Sequence, residues 1–266
     1  MMANFRSITI GQYVPGDSFL HSLDPRTKII ITMLLIIVLF LVNTFAGYGL
    51  IALFILTLIF LSQLSPRFIL RGLRPIIVIL LFTLTLHIFL TEGTVLWQVG
   101  PIKITEEGLN KGGMMALRLI LLVLGASLLT LTTSPIALTD GIERLLNPFR
   151  RLGLPAHELA MMMTIALRFI PTLLEETEKI MKAQMARGAD FESGNLVQRA
   201  KSLLPLLVPL FVSAFRRADE LAVAMEARCY RGGNGRTKMK QLTWTGNDYL
   251  ALTASTIFVI FTAYYF

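Results

Sequence analysis

Five stretches of this chain, residues 28–45, 47–64, 75–91, 114–133 and 249–266, are each long and apolar enough to call for a bilayer. Inside hydrocarbon every backbone N–H and C=O needs an internal partner. None of the five stretches alternates as the strands of a membrane barrel do, so each is expected to form a helix. The predicted fold class is an all-α integral membrane protein with about five transmembrane helices. Composition agrees, because 54% of the 266 residues are hydrophobic and only 16% are charged, where a soluble domain carries about a quarter.

Loop charges orient the set. Arg6, Arg26 and Lys28 precede or open the first span, and Arg67, Arg71 and Arg74 occupy the loop expected between the second and third. Both segments read as cytoplasmic, the amino terminus included. The turn at 43–47 is uncharged, and the loop at 92–111 sets Glu92, Glu106 and Glu107 against Lys103 and Lys111, so these read as external. By alternation the long segment 134–247, with 16 Lys and Arg against 11 Asp and Glu, returns to the cytoplasm. The expected organisation is a membrane domain at 1–133, a cytoplasmic domain of long amphipathic helices at 134–247, and a last span at 248–266 that completes the membrane domain.

Within 134–247 two helices are expected, from about 155 to 187 and from about 195 to 228, the second bent at Pro205 and Pro209. Their apolar runs at 159–174 and 203–215 are shorter than a span, which suits buried or interfacial helices. Leu173, Leu174, Thr177, Ile180, Met181 and Gln184 recur at helical spacing in the first, as Ala214, Ala218, Leu221, Ala222 and Met225 do in the second. Glu175, Glu176, Lys179 and Lys182, and then Arg216, Arg217, Asp219, Glu220 and Glu226, are assigned to wet faces.

The two helices end alike. Ala183-x-x-Ala186-Arg187 is followed by Gly188, and Ala224-x-x-Ala227-Arg228 by Cys229, the arginines lying 41 positions apart. Each arginine follows a stripe residue by seven positions, nearly two turns, which sets it over the packing stripe at the helix end. A cation there complements the helix dipole by about 0.3–1 kcal/mol, and Gly188 suits a left-handed cap. A guanidinium fork also pairs bidentately with carboxylates, so two such ends suit two acidic grooves.

Other chemistries find little support. The net charge of +8 follows from basic cytoplasmic loops, and the basic residues lack the interleaved aromatic platforms of a nucleic-acid surface. A lone cysteine, Cys229, excludes an intrachain disulfide and any C-x-x-C site. His157-Glu158 begins a zinc-protease pattern, but Met161 replaces its second histidine, and His21, His87 and His157 share no ligand spacing. Glu175-Glu176 resembles the start of a membrane-protease motif whose arginine is here Ile180. No phosphate-binding G-x-x-x-x-G-K-[ST] occurs, so the chain is not expected to hydrolyse ATP, hold a metal or act as an enzyme. A self-contained secondary transporter or an intramembrane enzyme is the alternative reading. Its strongest signal is Arg118 inside the fourth run, read here as snorkelling to the outer surface, as His87 is read as a structural histidine near that side.

Four stretches, Leu23-Asp-Pro-Arg-Thr-Lys28, Ala166-Leu-Arg-Phe-Ile-Pro171, Ala183-Gln-Met-Ala-Arg-Gly188 and Arg217-Ala-Asp-Glu-Leu-Ala-Val-Ala-Met-Glu-Ala-Arg-Cys-Tyr230, resemble the transmembrane coupling, or T, component of energy-coupling factor transporters. The resemblance covers essentially the whole chain and departs at Cys229, where the family commonly has glycine. It implies a subunit of an ATP-binding-cassette importer in a bacterial cell membrane. Two cytoplasmic ATPases would bind ATP and magnesium, and a separate membrane S component would capture a vitamin or metal ion. It further implies that Ala186, Arg187 and Gly188, and then Ala227, Arg228 and Cys229, dock into the two ATPases. The apolar sides of the coupling helices, with Met161, Met162, Met163, Leu206 and Leu210, would carry the S component.

Overall fold

The computed structural model describes residues 13–99, 102–191, 195–232 and 242–266. They fall into two compact units, 13–141 with 242–266, and 142–232. Four of the helices are long and apolar enough to cross a membrane by length and composition: Phe45–Ser62, Pro66–Leu90, Glu106–Thr132 and Ala156–Ala186. The first three carry predicted spans. The fourth is the helix whose apolar half was expected to lie buried or at an interface.

In the first unit a short helix α1 (Phe19–Ser22) precedes α2 (Pro25–Leu41). At 17 residues α2 is about 26 Å long, the short end of what crosses hydrocarbon. α3 (Phe45–Ser62) follows and stops at Gln63 in the left-handed conformation. Arg67, Arg71 and Arg74 do not form the expected loop. They lie on α4 (Pro66–Leu73) and the 3-10 turn Arg74–Ile76, which runs straight into α5 (Ile77–Leu90). Pro66 suits the first turn of a helix, where its missing N–H is no loss, and Pro75 tightens the turn at the junction without ending the helix. Only 63–65 are left as connection.

The loop after α5 carries an antiparallel ribbon, β1 (Val95–Val99) with β2 (Ile102–Thr105), the one departure from an all-α fold among the described residues. Its exit is pinned by the Thr105 hydroxyl, which donates to the Thr91 carbonyl at 2.8 Å and accepts from the Gly108 N–H at 3.1 Å. Thr105 is thereby the N-cap of α6 (Glu106–Thr132), with Glu106 and Glu107 in the first turn against the positive end of its dipole. α6 begins two turns before the predicted run, and at 27 residues spans about 40 Å. It is the central helix of the unit, packing on α2, α3, α4 and α5. Gly108 makes the approach of α5 possible: a Cβ there would lie 2.7 Å from the His87 carbonyl oxygen. Leu35, Val38 and Leu39 of α2, Ile51 and Ile55 of α3, and Leu121 and Leu128 of α6 form the dry core.

Polar knots close this core at both ends of α2. At its start Asp24 is the N-cap, accepting from the Arg26 N–H at 2.9 Å and pairing with the Arg26 guanidinium at 2.8 and 3.0 Å. The Asp24 N–H donates to Asp248 Oδ1 at 2.7 Å, and Asp248 Oδ2 accepts from the N–H and hydroxyl of Thr245, at 2.8 and 2.7 Å, in a capping box that starts α11 (Gly246–Tyr265). The buried Lys28 donates to the carbonyls of His21 and Thr132, at 3.2 and 3.0 Å, and so adds the ends of α1 and α6. At the far end Arg118 of α6 donates to the Tyr48 hydroxyl at 2.8 Å and, at 3.2 Å, to both the Val42 carbonyl and Asn43 Oδ1. Its guanidinium also lies over the Phe40 and Tyr48 rings. Arg118 is therefore tied to the turn between α2 and α3, where its charge faces the carbonyl end of α2. The guanidinium thus reaches the turn that reads as external from its sequence, and protein groups hold it there.

The Asp248→Ala variant is expected to lose about 2–4 kcal/mol of stability, because it leaves the buried Asp24 N–H without an acceptor and removes the capping box at Thr245. The loss should appear as a melting temperature in detergent lower by roughly 5–15 °C. The exposed Thr253→Ala change on the same helix should leave melting unchanged.

Candidate functional site

In the second unit the chain leaves α7 (Pro135–Leu146), turns through the 3-10 segment Asn147–Leu152, and enters α8 (Ala156–Ala186). The second long helix is not continuous. A short α9 (Leu196–Ser202) breaks at Leu203, and α10 (Leu204–Ala227) starts afresh. Pro205 causes the break, since it fits the first turn of a new helix and not the interior of an old one. Pro171 and Pro209 are carried inside α8 and α10.

α8 and α10 pack antiparallel. The Gln184 side chain reaches the Pro205 carbonyl at 3.4 Å. Midway, Glu176 accepts from the Ser213 hydroxyl at 2.5 Å and from the Arg217 guanidinium at 2.7 Å. At the other end Tyr230 Oη lies 3.3 Å from His157 Nε2, whose Nδ1 is 3.0 Å from Glu143 Oε1. A small core of Met181, Phe191 and Leu206 seals the Gln184 end. Glu176 and Arg217 therefore do not stand on wet faces, as assigned from their charge. Helical phase carried the contrary signal: Glu176 is three residues after Leu173 and four before Ile180, and Arg217 stands likewise between Ala214 and Leu221.

Because the pairing is antiparallel, the two arginine endings lie at opposite poles of the hairpin. Their backbones match. Arg187 is the C-cap of α8, Gly188 takes φ +88°, the Ala189 N–H bonds the Gln184 carbonyl at 3.0 Å, and the Gly188 N–H bonds the Met185 carbonyl at 2.9 Å. Arg228 is the C-cap of α10, Cys229 takes φ +53°, the Tyr230 N–H bonds the Met225 carbonyl at 3.0 Å, and the Cys229 N–H bonds the Glu226 carbonyl at 2.8 Å. Both are Schellman caps, the second built without glycine. Ala186, Arg187, Gly188, Ala227, Arg228 and Cys229 are all exposed. Neither arginine side chain has a hydrogen bond or ion pair within the described residues.

The residues expected to carry a membrane partner separate. Met162 and Met163 are exposed, at 55% and 43%, and Leu210 is half-buried. Leu206 is buried in the small core and offers no free surface. Met161 lines a cavity of about 650 Å³ that α8 and α10 enclose between Glu176 and Tyr230. Ile165, Phe169, Leu221 and Met225 form its apolar wall, and Arg168, Arg228 and Arg231 also line it.

Cys229 pays a conformational cost at its left-handed position that Gly188 does not. The Cys229→Gly variant is expected to gain about 0.5–1 kcal/mol, read as a higher melting temperature, while Gly188→Ala should lose a similar amount.

Comparison with known proteins agrees with the motifs. The family described as CbiQ, cobalt transport protein, matches residues 16–239. The energy-coupling factor transporter transmembrane protein EcfT of Thermosediminibacter oceani is 62% identical over 255 residues, 96% of each chain. Its namesake in Ruminiclostridium cellulolyticum is 59% identical over 254 residues, covering 96% of this chain and 95% of the relative. The Bacillus subtilis protein of the same name is 57% identical over 243 residues, 91% of this chain and 92% of its own. With both helix-end motifs inside the matched region, the chain belongs to the CbiQ/EcfT family of transporter transmembrane components.

Proposed function

We propose that this protein is the coupling subunit of an ATP-driven importer of the energy-coupling factor type. In this reading two cytoplasmic ATP-binding-cassette subunits bind ATP and magnesium. An S component in the same bacterial membrane captures a vitamin or metal ion, and this chain, itself without catalytic chemistry, transmits motion between them. The amino terminus and the α8/α10 hairpin face the cytoplasm.

The observation that carries the proposal is the pair of matching ends at opposite poles of one hairpin. Each presents an unpaired, exposed arginine on a Schellman cap. The 24 residues of α10 alone separate the poles by about 36 Å. An antiparallel helix pair has an approximate two-fold axis through its middle. Two like contacts related by that axis suit a partner built from two like subunits, each offering one acidic groove. When ATP draws the two ATPases together the grooves move, and the hairpin, braced at its middle by Glu176, Ser213 and Arg217, moves as a lever under the S component. The exposed Met162 and Met163 give that component a conformable apolar seat.

Purification of the complex through a tag on this subunit tests the docking. Arg187→Glu and Arg228→Glu together should abolish recovery of the ATPases, and each alone should weaken their association roughly ten- to a hundredfold, the worth of a charge-assisted pair. Melting of the isolated subunit should fall only slightly, by about the 0.3–1 kcal/mol per helix end that each cation contributes against the dipole, because both side chains are otherwise exposed and unpaired within the described residues. A double variant that keeps normal ATPase association would overturn the assignment.

A further inference from the structure

The cavity at the Tyr230 end of the hairpin has a chemistry that the helix packing does not use. Its volume, about 650 Å³, lies within the range of small-ligand sites, roughly 300–1,000 Å³. Three arginines, Arg168, Arg228 and Arg231, line it, and no carboxylate among the described residues does. The side chains of Arg168 and Arg231, like that of Arg228, form no hydrogen bond or ion pair within the described residues. The remaining wall is mostly apolar. An occupant complementary to it carries an anionic group joined to hydrocarbon.

What surrounds the cavity narrows the choice to a lipid. α8 is apolar enough to count among the membrane-crossing helices, and its apolar run lies in the half that borders the cavity. Leu159, Met162, Met163 and Ile170 are exposed there. Just before it, Phe149, Leu152 and Leu154 are exposed beside Arg150 and Arg151, Leu152 at 82%. Exposed apolar side chains interleaved with arginine are what a protein surface shows to anionic phospholipid headgroups, whereas a soluble acidic partner would be met by a polar rim. The geometry points to an anionic glycerophospholipid held in this cavity, its phosphate between Arg168 and Arg231, with Arg228 left to the ATPase contact, and its first methylenes against Ile165, Phe169, Leu221 and Met225. The hairpin would thereby be fastened to the membrane surface at the Arg228 pole, through a contact that does not depend on ATPase docking.

Native mass spectrometry of the purified subunit, titrated in detergent with phosphatidylglycerol or phosphatidylcholine, tests this. Phosphatidylglycerol should bind at least about tenfold more tightly than phosphatidylcholine, and inorganic phosphate should not displace it, since phosphate leaves the apolar wall empty. Arg168→Gln with Arg231→Gln should weaken phosphatidylglycerol roughly ten- to thirtyfold while ATPase recovery stays normal. Ile165→Trp, which fills the apolar part and keeps every charge, should also weaken it. Equal binding of the two lipids, or unchanged phosphatidylglycerol binding in the double variant, would overturn the proposal. Lost ATPase recovery with unchanged lipid binding would also overturn it, and would give the cavity to an acidic protein segment.

Discussion

The carboxylate of Asp248 is the point on which the membrane-embedded unit depends. Helices that lie in lipid gain little from hiding apolar side chains from one another, because hydrocarbon surrounds them either way. Polar groups decide which helices meet. Asp248 starts α11 through its own capping box and in the same step accepts the Asp24 N–H that opens α2. Lys28, one turn on, takes the carbonyl left over at the end of α6. Three helix termini, each with backbone groups that lipid cannot satisfy, thus satisfy one another. At the other end of α2 Arg118 performs the corresponding service for the α2–α3 turn, and the core of Leu35, Val38, Leu39, Ile51 and Ile55 is gripped between the two.

What the sequence revealed and what it hid follow from the range over which each signal acts. The apolar runs are local and strong, and four of the five lie chiefly in α2, α3, α5 and α6, with the last in α11. At 67–74 three arginines read as a water-facing loop, yet Pro66 at a helix start and apolar Phe68, Ile69 and Leu70 between them spell a helix. The partners of Arg118, Tyr48 and Val42, stand 70 and 76 residues away. No local pattern reports such a pairing. In the hairpin the signal is local: Glu176 and Arg217 are in phase with the packing stripe, and phase outweighs charge. Of the candidate site, the exposed arginine endings were legible, whereas Leu206 was assigned a free surface that its burial against Met181 and Phe191 denies.

A helix hairpin can transmit force only if its two members do not slide. Apolar contact alone resists sliding poorly, since one methylene serves much as another. The Glu176 carboxylate, held by a hydroxyl and a guanidinium from the facing helix, fixes one register, because a shift by a single residue would separate all three groups. The clamp stands near the midpoint, between the sealed end at Met181 and Leu206 and the open end where the cavity lies. Motion applied at either pole therefore passes through a contact that keeps its geometry.

The two poles are alike in backbone and unlike in support. Gly188 closes its cap without steric cost. Cys229 adopts the left-handed conformation at a cost of about 1–2 kcal/mol, and that cost has to be offset by neighbouring contacts. Those contacts are visible. Tyr230, the residue after Cys229, lies in the cavity wall with Met225, the pairing of apolar groups that accompanies such a cap, and its hydroxyl meets His157 at the start of α8. His157 is held in turn by Glu143. The Arg228 pole is thus fixed by tertiary contacts that override local preference, whereas at the Arg187 pole local preference and the packing of Met185 and Ala189 on the small core point the same way. Two endings that share a sequence pattern consequently differ in what a substitution would disturb: at Gly188 the cap itself, at Cys229 the frame that compels it.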